Sequence, residues 1–200
     1  MRHEVTGVTE ALISNARNEF LEYGFHSASL RRICAVSGVS TNSVYTRFGG
    51  KEGLFDAVVK EAADGLMLVY LESIDRARAA DDMHNAMDVG SEGTDIVLDY
   101  IYKHKEECVL LFCNSSGTEY ENYFDNLAAI EEEYYKEFVK NYSHDGRSID
   151  DFFIHVFCRT GWQYMYELLS HDKSYEEAVE YMKNVRRFTY AGWMAVMEDK

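Results

Sequence analysis

Residues 23–51 hold the side chains best suited to binding chemistry in this chain. The segment contains no Asp or Glu, although 35 of the 200 residues are acidic. It carries four cations, Arg31, Arg32, Arg47 and Lys51. Positive side chains with no carboxylate between them suit a polyanion, so the segment indicates contact with the phosphate backbone of a nucleic acid.

Short polar side chains in the same segment could contact base edges. An Asn side chain can pair with adenine, an Arg with guanine, and the methyl group of Thr can contact that of thymine. Residues at helix starts and turns could also hold phosphate oxygens, which fixes register without reading sequence. We predict nucleic-acid contacts from Ser29, Arg31, Ser40, Thr41, Asn42, Ser43, Tyr45, Thr46, Arg47 and Lys51.

Each of these residues also has an ordinary explanation. Ser and Thr are frequent helix caps, and exposed arginines are usually solvated. For any single residue that explanation is favoured. For the segment as a whole it weakens, because the missing acids, the capping serines, a turn glycine and a polar helix would all have to coincide.

A helix-turn-helix pattern would position these side chains. It predicts a first helix from about Thr9 to Tyr23, ended by Gly24. Ser29 would cap a second helix, and Gly38 permits a sharp turn after it. The residues expected to face inward from the second helix are Leu30, Ile33, Cys34 and Val36.

A third helix is predicted from the Ser40 cap to about Phe48. The second helix of a helix-turn-helix pair lies in the major groove, so its outward face should be short, polar and free of acids. The third helix meets that requirement if Val39, Val44 and Phe48 anchor it to the other two.

Charge divides the chain into two parts. Residues 1–60 carry seven basic and six acidic side chains, whereas residues 61–200 carry thirteen and twenty-nine. Repulsion would keep the acidic part away from phosphates while the first part approaches them. We therefore predict a nucleic-acid-binding domain over residues 1–50 and a second domain over residues 51–200.

No catalytic or metal-binding signature is apparent. The four cysteines fit no zinc or CxxC spacing and are expected to be buried thiols in a reducing compartment. No Glu-x-x-His pair, HExxH, P-loop or GxGxxG motif occurs. We expect no enzyme activity, no cofactor and no bound metal. The absence of a long apolar run and the polar start predict a cytoplasmic protein without a membrane segment.

Apolar residues recur every three or four positions, which predicts an all-α fold. A long helix should begin at Lys51 and extend to about Ala80. Further helices are predicted near 94–114, 120–142, 149–170 and 174–198, separated by the segments GSEG, NSSG and SHDGRS. Residues 81–93 are compatible with a short helix or a loop.

The run SLRRICAVSGVSTNSVYTRFGGKEGLF resembles the DNA-binding domain of the tetracycline-repressor (TetR) family of bacterial regulators. The resemblance covers roughly residues 9–60 and depends on Ser37–Ser40, Tyr45, Phe48, Lys51–Glu52 and Leu54. It implies phosphate contacts from Ser29, Tyr45 and Lys51. It also implies that Thr41, Asn42 and Thr46 lie near bases, and that a long helix leads to a helical ligand-binding and dimerisation domain.

The chain departs from the family pattern at four positions. Cys34 and Ser37 stand where alanine is usual, and both are small enough to keep the packing. Asn42 stands where glycine is common, which could alter base preference. Gly50 replaces the usual polar cap before Lys51.

Two half-sites one turn of DNA apart, ~34–36 Å, require two recognition helices and therefore a dimer. The last two predicted helices carry apolar stripes with small residues that permit close approach. Such stripes could equally be intramolecular core. The predicted homodimer interface consists of Phe153, Phe157, Gly161, Tyr164, Leu168, Met182, Val185, Phe188, Gly192 and Val196.

Residues 61–200 contain 13 of the 15 tyrosines and both tryptophans. Aromatic walls with a carboxylate suit a hydrophobic, aromatic or cationic effector, although core packing explains such residues equally well. The candidate effector-binding residues are Phe112, Tyr120, Tyr123, Glu131, Tyr134, Trp162 and Tyr166. The sequence thus predicts a dimeric, ligand-responsive repressor that binds a palindromic operator. A non-repressing activator or a helical protein-interaction module are the alternatives.

Overall fold

The computed structural model describes the backbone of residues 2–143 and 149–198, and the side chains of residues 7–143 and 149–197. Most of the predicted SHDGRS turn lies outside these residues. All regular elements in the described part are helices, which confirms the all-α prediction. They are α1 (Arg2–Ser27), α2 (Leu30–Ser37), α3 (Thr41–Phe48), α4 (Lys51–Arg78), α5 (Met83–Lys103), α6 (Lys105–Cys113), α7 (Tyr123–Tyr142), α8 (Asp151–Ser170) and α9 (Tyr175–Glu198). No described helix has both the length and the apolar character that a membrane span requires.

The chain packs as two compact units. The first comprises Met1–Gly65 and His104–Tyr123, and the second comprises Leu66–Lys103 and Phe124–Lys200. The predicted division after residue 50 is therefore not where the packing divides. The reason is that Phe55, on the first turns of α4, packs edge-on against Phe20 of α1 with ring centroids 5.0 Å apart. Whether residues 1–50 form the functional module stays a prediction.

The segment 104–123 belongs with the first unit because polar contacts attach it to α1 and α4. Arg17 of α1 forms an ion pair of 2.8 Å with Glu107 of α6. Tyr120 donates a hydrogen bond of 2.6 Å to Asp56 of α4. Tyr123 donates one of 2.7 Å to the backbone carbonyl of Ala63.

Two predictions for the first helices need correction. Helix α1 begins at Arg2 rather than at Thr9, and a last turn to Ser27 follows the non-helical backbone of Gly24. Val36 was predicted to face inward but is 73% exposed. Each helical residue advances by 100°, so Val36 lies about 200° from Cys34, which is buried together with Ile33.

A buried carboxylate fixes the start of α2 on α1. Glu19 is 9% exposed and accepts hydrogen bonds from the backbone N–H of Ser29 at 2.7 Å and from Nε of Arg32 at 2.8 Å. Burial disfavours its charged form, but the bonds from Arg32 and Ser29 outweigh that penalty and lower its pKa. Glu19 therefore neutralises one cation of the acid-free segment from just outside it.

We expect Glu19→Gln to destabilise the first unit, on the order of 1–2 kcal/mol, because charge-assisted bonds to Arg32 and Ser29 become neutral ones. The folded-state pKa is lowered, so this stabilisation is present above the unfolded pKa and is lost as pH falls through the folded one. Urea unfolding at pH 7 and at pH 3 measures it. The difference in stability between the wild-type chain and the variant should be smaller at pH 3 than at pH 7; an equal difference at both values would contradict the assignment.

The second unit is built from α5, α7, α8, α9 and the second half of α4. Helix α5 begins at Met83, so residues 83–93 are helical, and the predicted helix 94–114 is divided between α5 and α6. The GSEG segment does not break α5. A Cβ atom at Gly93 would lie 2.9 Å from Cβ of Ser73 on α4, so this glycine permits close packing of two helices.

Candidate nucleic-acid interface and ligand cavity

Helix α3 is held by its two caps and by one buried side chain. Oγ of Ser40 accepts a hydrogen bond from the backbone N–H of Ser43 at 3.3 Å, and Gly49 closes the helix in the left-handed conformation. Val44 is fully buried. Because Val44 faces the unit, the opposite face of α3 faces solvent.

The structure leaves most of the predicted contact residues of α3 exposed to solvent. Tyr45 is 59% exposed. Ser43 is half-buried beside the cap. The exposed predicted residues of this helix and its cap are Ser40, Thr41, Asn42, Tyr45, Thr46 and Arg47. The result is a solvent-facing polar surface without an acidic side chain, which we call the α3 face.

The four cations of the segment are not equivalent. Arg47 donates a hydrogen bond of 2.8 Å to Oγ1 of Thr9 on α1, and Arg32 is paired with Glu19. Arg31 is exposed and has no carboxylate partner among the described side chains. Glu19 therefore neutralises Arg32, whereas the charges of Arg31 and Arg47 remain available to a phosphate.

Lys51 forms hydrogen bonds within the protein that the sequence did not indicate. Its Nζ donates to the backbone carbonyls of Phe25 at 2.6 Å, His26 at 3.1 Å and Ala28 at 3.2 Å. It also lies 4.6 Å from the centre of the Phe25 ring. An ammonium group has three protons, so all of its donors are used in closing the end of α1.

Two of the departures from the family pattern have structural explanations. Gly50 has φ of 140°, a backbone conformation that residues with a Cβ rarely adopt, and a Cβ there would lie 3.4 Å from the Tyr45 ring. Oγ of Ser37 accepts a hydrogen bond of 3.0 Å from Asn15 of α1. Both residues therefore help to fix the helices around the α3 face.

The second unit contains a cavity of about 180 Å³ lined by α4, α5, α7, α8 and α9. Glu131, Tyr134 and Trp162, predicted to bind the effector, line it. Tyr166 is half-buried and does not line it, and Phe112, Tyr120 and Tyr123 lie in the first unit. Proximity in sequence suggested that Phe112, Tyr120 and Tyr123 share a site with Glu131, but these three residues pack with α4 and α6 instead.

Several lining residues were not among the predicted effector residues. Trp193 stacks on Tyr135 with ring centroids 4.9 Å apart, and Phe157 packs edge-on against Trp193 at 5.0 Å. Tyr70 of α4 packs edge-on against Trp162 at 4.9 Å. Sequence could have indicated Tyr135, because it lies one helical turn after Glu131 on the same face of α7.

Two polar groups in the cavity wall have no hydrogen-bond partner among the described residues. They are the hydroxyl of Tyr70 and Nε1 of Trp193, whose residues are 8% and 4% exposed. Burial raises the pKa of Glu131 to about 8, although its interaction with the Trp162 indole opposes the shift. Part of the Glu131 surface remains accessible because it faces the cavity.

The predicted dimer residues fall into three groups. Phe153, Phe188, Gly192 and Val196 are exposed. Leu168 is buried within the unit. The remaining predicted residues line the cavity, namely Phe157, Gly161, Tyr164, Met182 and Val185. One stripe pattern thus combined residues that face inward with residues that face solvent.

The cysteines and acidic residues show no metal-binding arrangement in the described part of the chain. Cys34, Cys108 and Cys158 are buried, as expected, whereas Cys113 is half-buried. All four are free thiols. Burial raises the pKa of Cys108 to about 12, so its reactive thiolate form is rare at neutral pH.

Comparisons with known proteins agree with the α3 arrangement. Residues 12–58 match the family described as "Bacterial regulatory proteins, tetR family". The HTH-type transcriptional regulator UidR of Escherichia coli (strain K12) is 30% identical over 83 residues, which are 42% of each chain. The HTH-type transcriptional repressor AcnR of Corynebacterium glutamicum is 32% identical over 68 residues, or 34% of this chain and 36% of AcnR. This chain thus aligns with less than half the length of these relatives.

Solved structures resemble the chain over most of its length. A TetR-family transcriptional regulator from Syntrophomonas wolfei has a TM-score of 0.61 and 14% identity, covering 91% of this chain and 94% of its own. At that identity the likeness shows the fold alone. Residues 12–58 therefore belong to the tetR family of bacterial regulatory proteins, and the fold over most of the chain is that of the solved TetR-family structure.

Proposed function

We propose that the chain is a DNA-binding transcriptional regulator. The observation that carries this proposal is the α3 face, which projects polar side chains without a carboxylate from a helix anchored by Val44. A surface of this kind can enter the major groove, where Asn42 pairs with a base edge and Arg31 neutralises a phosphate. The names of the relatives, transcriptional regulators and a repressor, agree with this function.

The regulator acts as a homodimer on a palindromic operator. The exposed apolar side chains of α8 and α9 support a twofold interface, because they are concentrated on two adjacent elements of the chain. The large ones are Phe152, Phe153, Val156, Phe188 and Val196. Two copies would present two α3 faces to successive major grooves, ~34–36 Å apart.

The cavity of the second unit binds a small-molecule effector that releases the DNA. Tyr70 of α4 and Glu131 of α7 line it, and α4 continues from the first unit into the second. A ligand that alters α4 can therefore act on the first unit through continuous backbone. About 1–3 kcal/mol of coupling between effector and DNA would make a useful switch. An activator with the same contacts differs only in the sign of this coupling.

The DNA-binding proposal is tested with a site selected from random duplexes by the full chain. We expect Asn42→Ala to weaken binding to the selected site by about 1–3 kcal/mol and to leave binding to unrelated DNA unchanged. Arg31→Ala should weaken binding to both duplexes and reduce the slope of log K against log salt by about one. Fluorescence anisotropy at several salt concentrations measures both effects.

Both side chains are exposed, so neither substitution should change the melting temperature. If the chain selects no sequence and its DNA binding does not depend on salt, the regulator proposal fails. A helical protein-interaction module would then be the better interpretation.

A further inference from the structure

Glu131 is a half-buried residue whose carboxyl group faces the cavity and is neutralised by no cation among the described residues. Arg186 of α9 lines the same cavity but is bound to Asp95 of α5. The other titratable groups that line the cavity or interact with Glu131 are Tyr70 of α4, Tyr134 and Tyr135 of α7, Cys158 and Tyr164 of α8, and Tyr190 of α9. Phenols and a thiol are neutral at neutral pH, so none of them supplies a positive charge.

A carboxyl in this position is costly for folding alone. Burying an ionisable group without a counterion destabilises a protein, and a neutral or apolar side chain would avoid that cost. Groups whose titration is perturbed in this way, inside a cavity, are frequently functional. The hydroxyl-bearing Tyr70, which lines the same cavity and interacts with both Glu131 and the Trp162 indole, is a second polar residue available to a ligand.

The walls around Glu131 determine what the missing partner can be. Tyr135, Phe157 and Trp193 form a contiguous aromatic cluster, with centroid distances between 4.9 and 5.3 Å. Aromatic faces attract cations as well as other rings. A cavity of about 180 Å³ is close to the roughly 150 Å³ apolar cavity that accepts benzene, so the space suits one ring with a short substituent.

We infer that the ligand of this cavity is an alkylamine that carries a single aromatic ring, bound as its ammonium ion by the carboxylate of Glu131 and the hydroxyl oxygen of Tyr70. This inference rests on the proposal that the cavity is an effector site, and it specifies the chemistry of that effector. The Glu131 carboxyl loses its proton to solvent as the ammonium enters, so that one positive charge replaces another at the site.

Because the Glu131 carboxyl must release its proton, the affinity for the amine should depend on pH, and the direction of that dependence follows from the pKa. The pKa of Glu131 in the empty site is about 8, so the carboxyl is mostly protonated at pH 7 and must ionise to pair with the amine. Affinity for the amine should rise roughly tenfold per pH unit below 8 and level off above it, as long as the amine stays protonated. A neutral ligand of the same shape should show no such rise.

Gly161 allows the carboxyl to be blocked without removing it. A Cβ at Gly161 on α8 would lie 3.6 and 3.7 Å from the two carboxylate oxygens of Glu131, which is ordinary contact and needs no rearrangement. Gly90 of α5 lines the same cavity, and a Cβ there would meet nothing within 4 Å. The pair Gly161→Ala and Gly90→Ala thus adds one methyl group near the carboxyl or away from it.

The test uses isothermal titration calorimetry of the full chain with phenethylamine and its neutral isostere 2-phenylethanol. The wild-type chain should bind the amine at least tenfold more tightly than the alcohol at pH 8. At pH 7 it should release about one proton on binding the amine, measured in buffers of different ionisation enthalpy. Glu131→Gln should remove the preference for the amine, the proton release and the pH dependence, while keeping affinity for the alcohol.

The glycine variants separate a contact at the carboxyl from a change in cavity size. Gly161→Ala should lower the affinity for the amine more than the affinity for the alcohol, whereas Gly90→Ala should change both affinities by the same factor. Melting temperatures establish that each variant is folded. Three results would each overturn the inference. They are equal affinity of the wild-type chain for amine and alcohol, a Glu131→Gln variant that binds the amine as the wild-type chain does, and no binding of the amine.

The ligand proposal and the proposed DNA-binding function can fail independently, and the two experiments distinguish these cases. If phenethylamine does not bind while the same preparation binds its selected duplex, the ligand class is wrong and the regulator proposal stands. If the chain binds the amine with proton release but selects no DNA, the ligand site stands and the regulator proposal fails.

Discussion

Phe188→Glu should convert the dimer into monomers and reduce operator affinity by at least about 100-fold. Phe188 on α9 is 73% exposed. Exposing a large aromatic side chain to water is unfavourable, so this exposure indicates that another surface covers it. A twofold interface places the same residue of each copy in one patch, so each dimer would bury two new carboxylates. Linked half-site binding contributes a factor of 10²–10⁴ to affinity, and this factor is lost in a monomer.

The measurement is sedimentation equilibrium for mass, combined with anisotropy titration of the selected duplex. Leu68→Glu is the matched control, because Leu68 is another highly exposed apolar residue of the second unit, on α4. It should leave both the mass and the affinity unchanged. A dimeric Phe188→Glu with full affinity would show that α9 is not the interface.

Local signals predicted much of the fold. Ser29 and Ser40 cap α2 and α3 as expected, and Gly38 and Gly49 end them in the left-handed conformation. These predictions succeed because a cap is a bond between neighbours in sequence, and the residue types that form it are few. The start of α5 failed on the same reasoning. Gly93 looked like a break, but its role is to let Ser73 approach, and Ser73 is twenty positions away.

The cavity could be predicted only in part. Helical spacing is enough to place Glu131 and Tyr135 on one face of α7, since that depends on a single element. Spacing did not indicate that Trp193 of α9 would stack on Tyr135, or that Tyr120 would bind Asp56 instead of lining the cavity. An apolar or aromatic stripe predicts that one face of a helix is buried, but it does not predict which helix packs against that face. The division of the α8 and α9 stripes between cavity and solvent therefore follows from tertiary packing alone.

Lys51→Met should destabilise the first unit by about 2–3 kcal/mol, in addition to any effect on DNA binding. The ammonium donates to the carbonyls of Phe25, His26 and Ala28, and a charged donor is worth about 1.5–3 kcal/mol per bond before water replaces it. It also places a positive charge at the C-terminal end of α1, where the helix dipole favours one. Methionine keeps an unbranched side chain, one atom shorter than that of lysine, but leaves those three acceptors without their donor.

The sequence resemblance implies instead that Lys51 holds a phosphate, and the two roles make different predictions. A phosphate contact alone predicts an unchanged melting temperature and a salt slope that falls by about one. The observed bonds predict a melting temperature lower by about 4–12 °C and faster hydrogen exchange at the end of α1. Lys60→Met removes another α4 cation, one whose partner is Asp64 at 3.6 Å on the exposed surface, and should lower stability by well under 1 kcal/mol. If Lys51→Met melts like Lys60→Met and the salt slope falls by about one, the three carbonyl bonds contribute nothing and the phosphate role is the correct one. If it melts earlier, the lysine acts on DNA by holding the end of α1 in place.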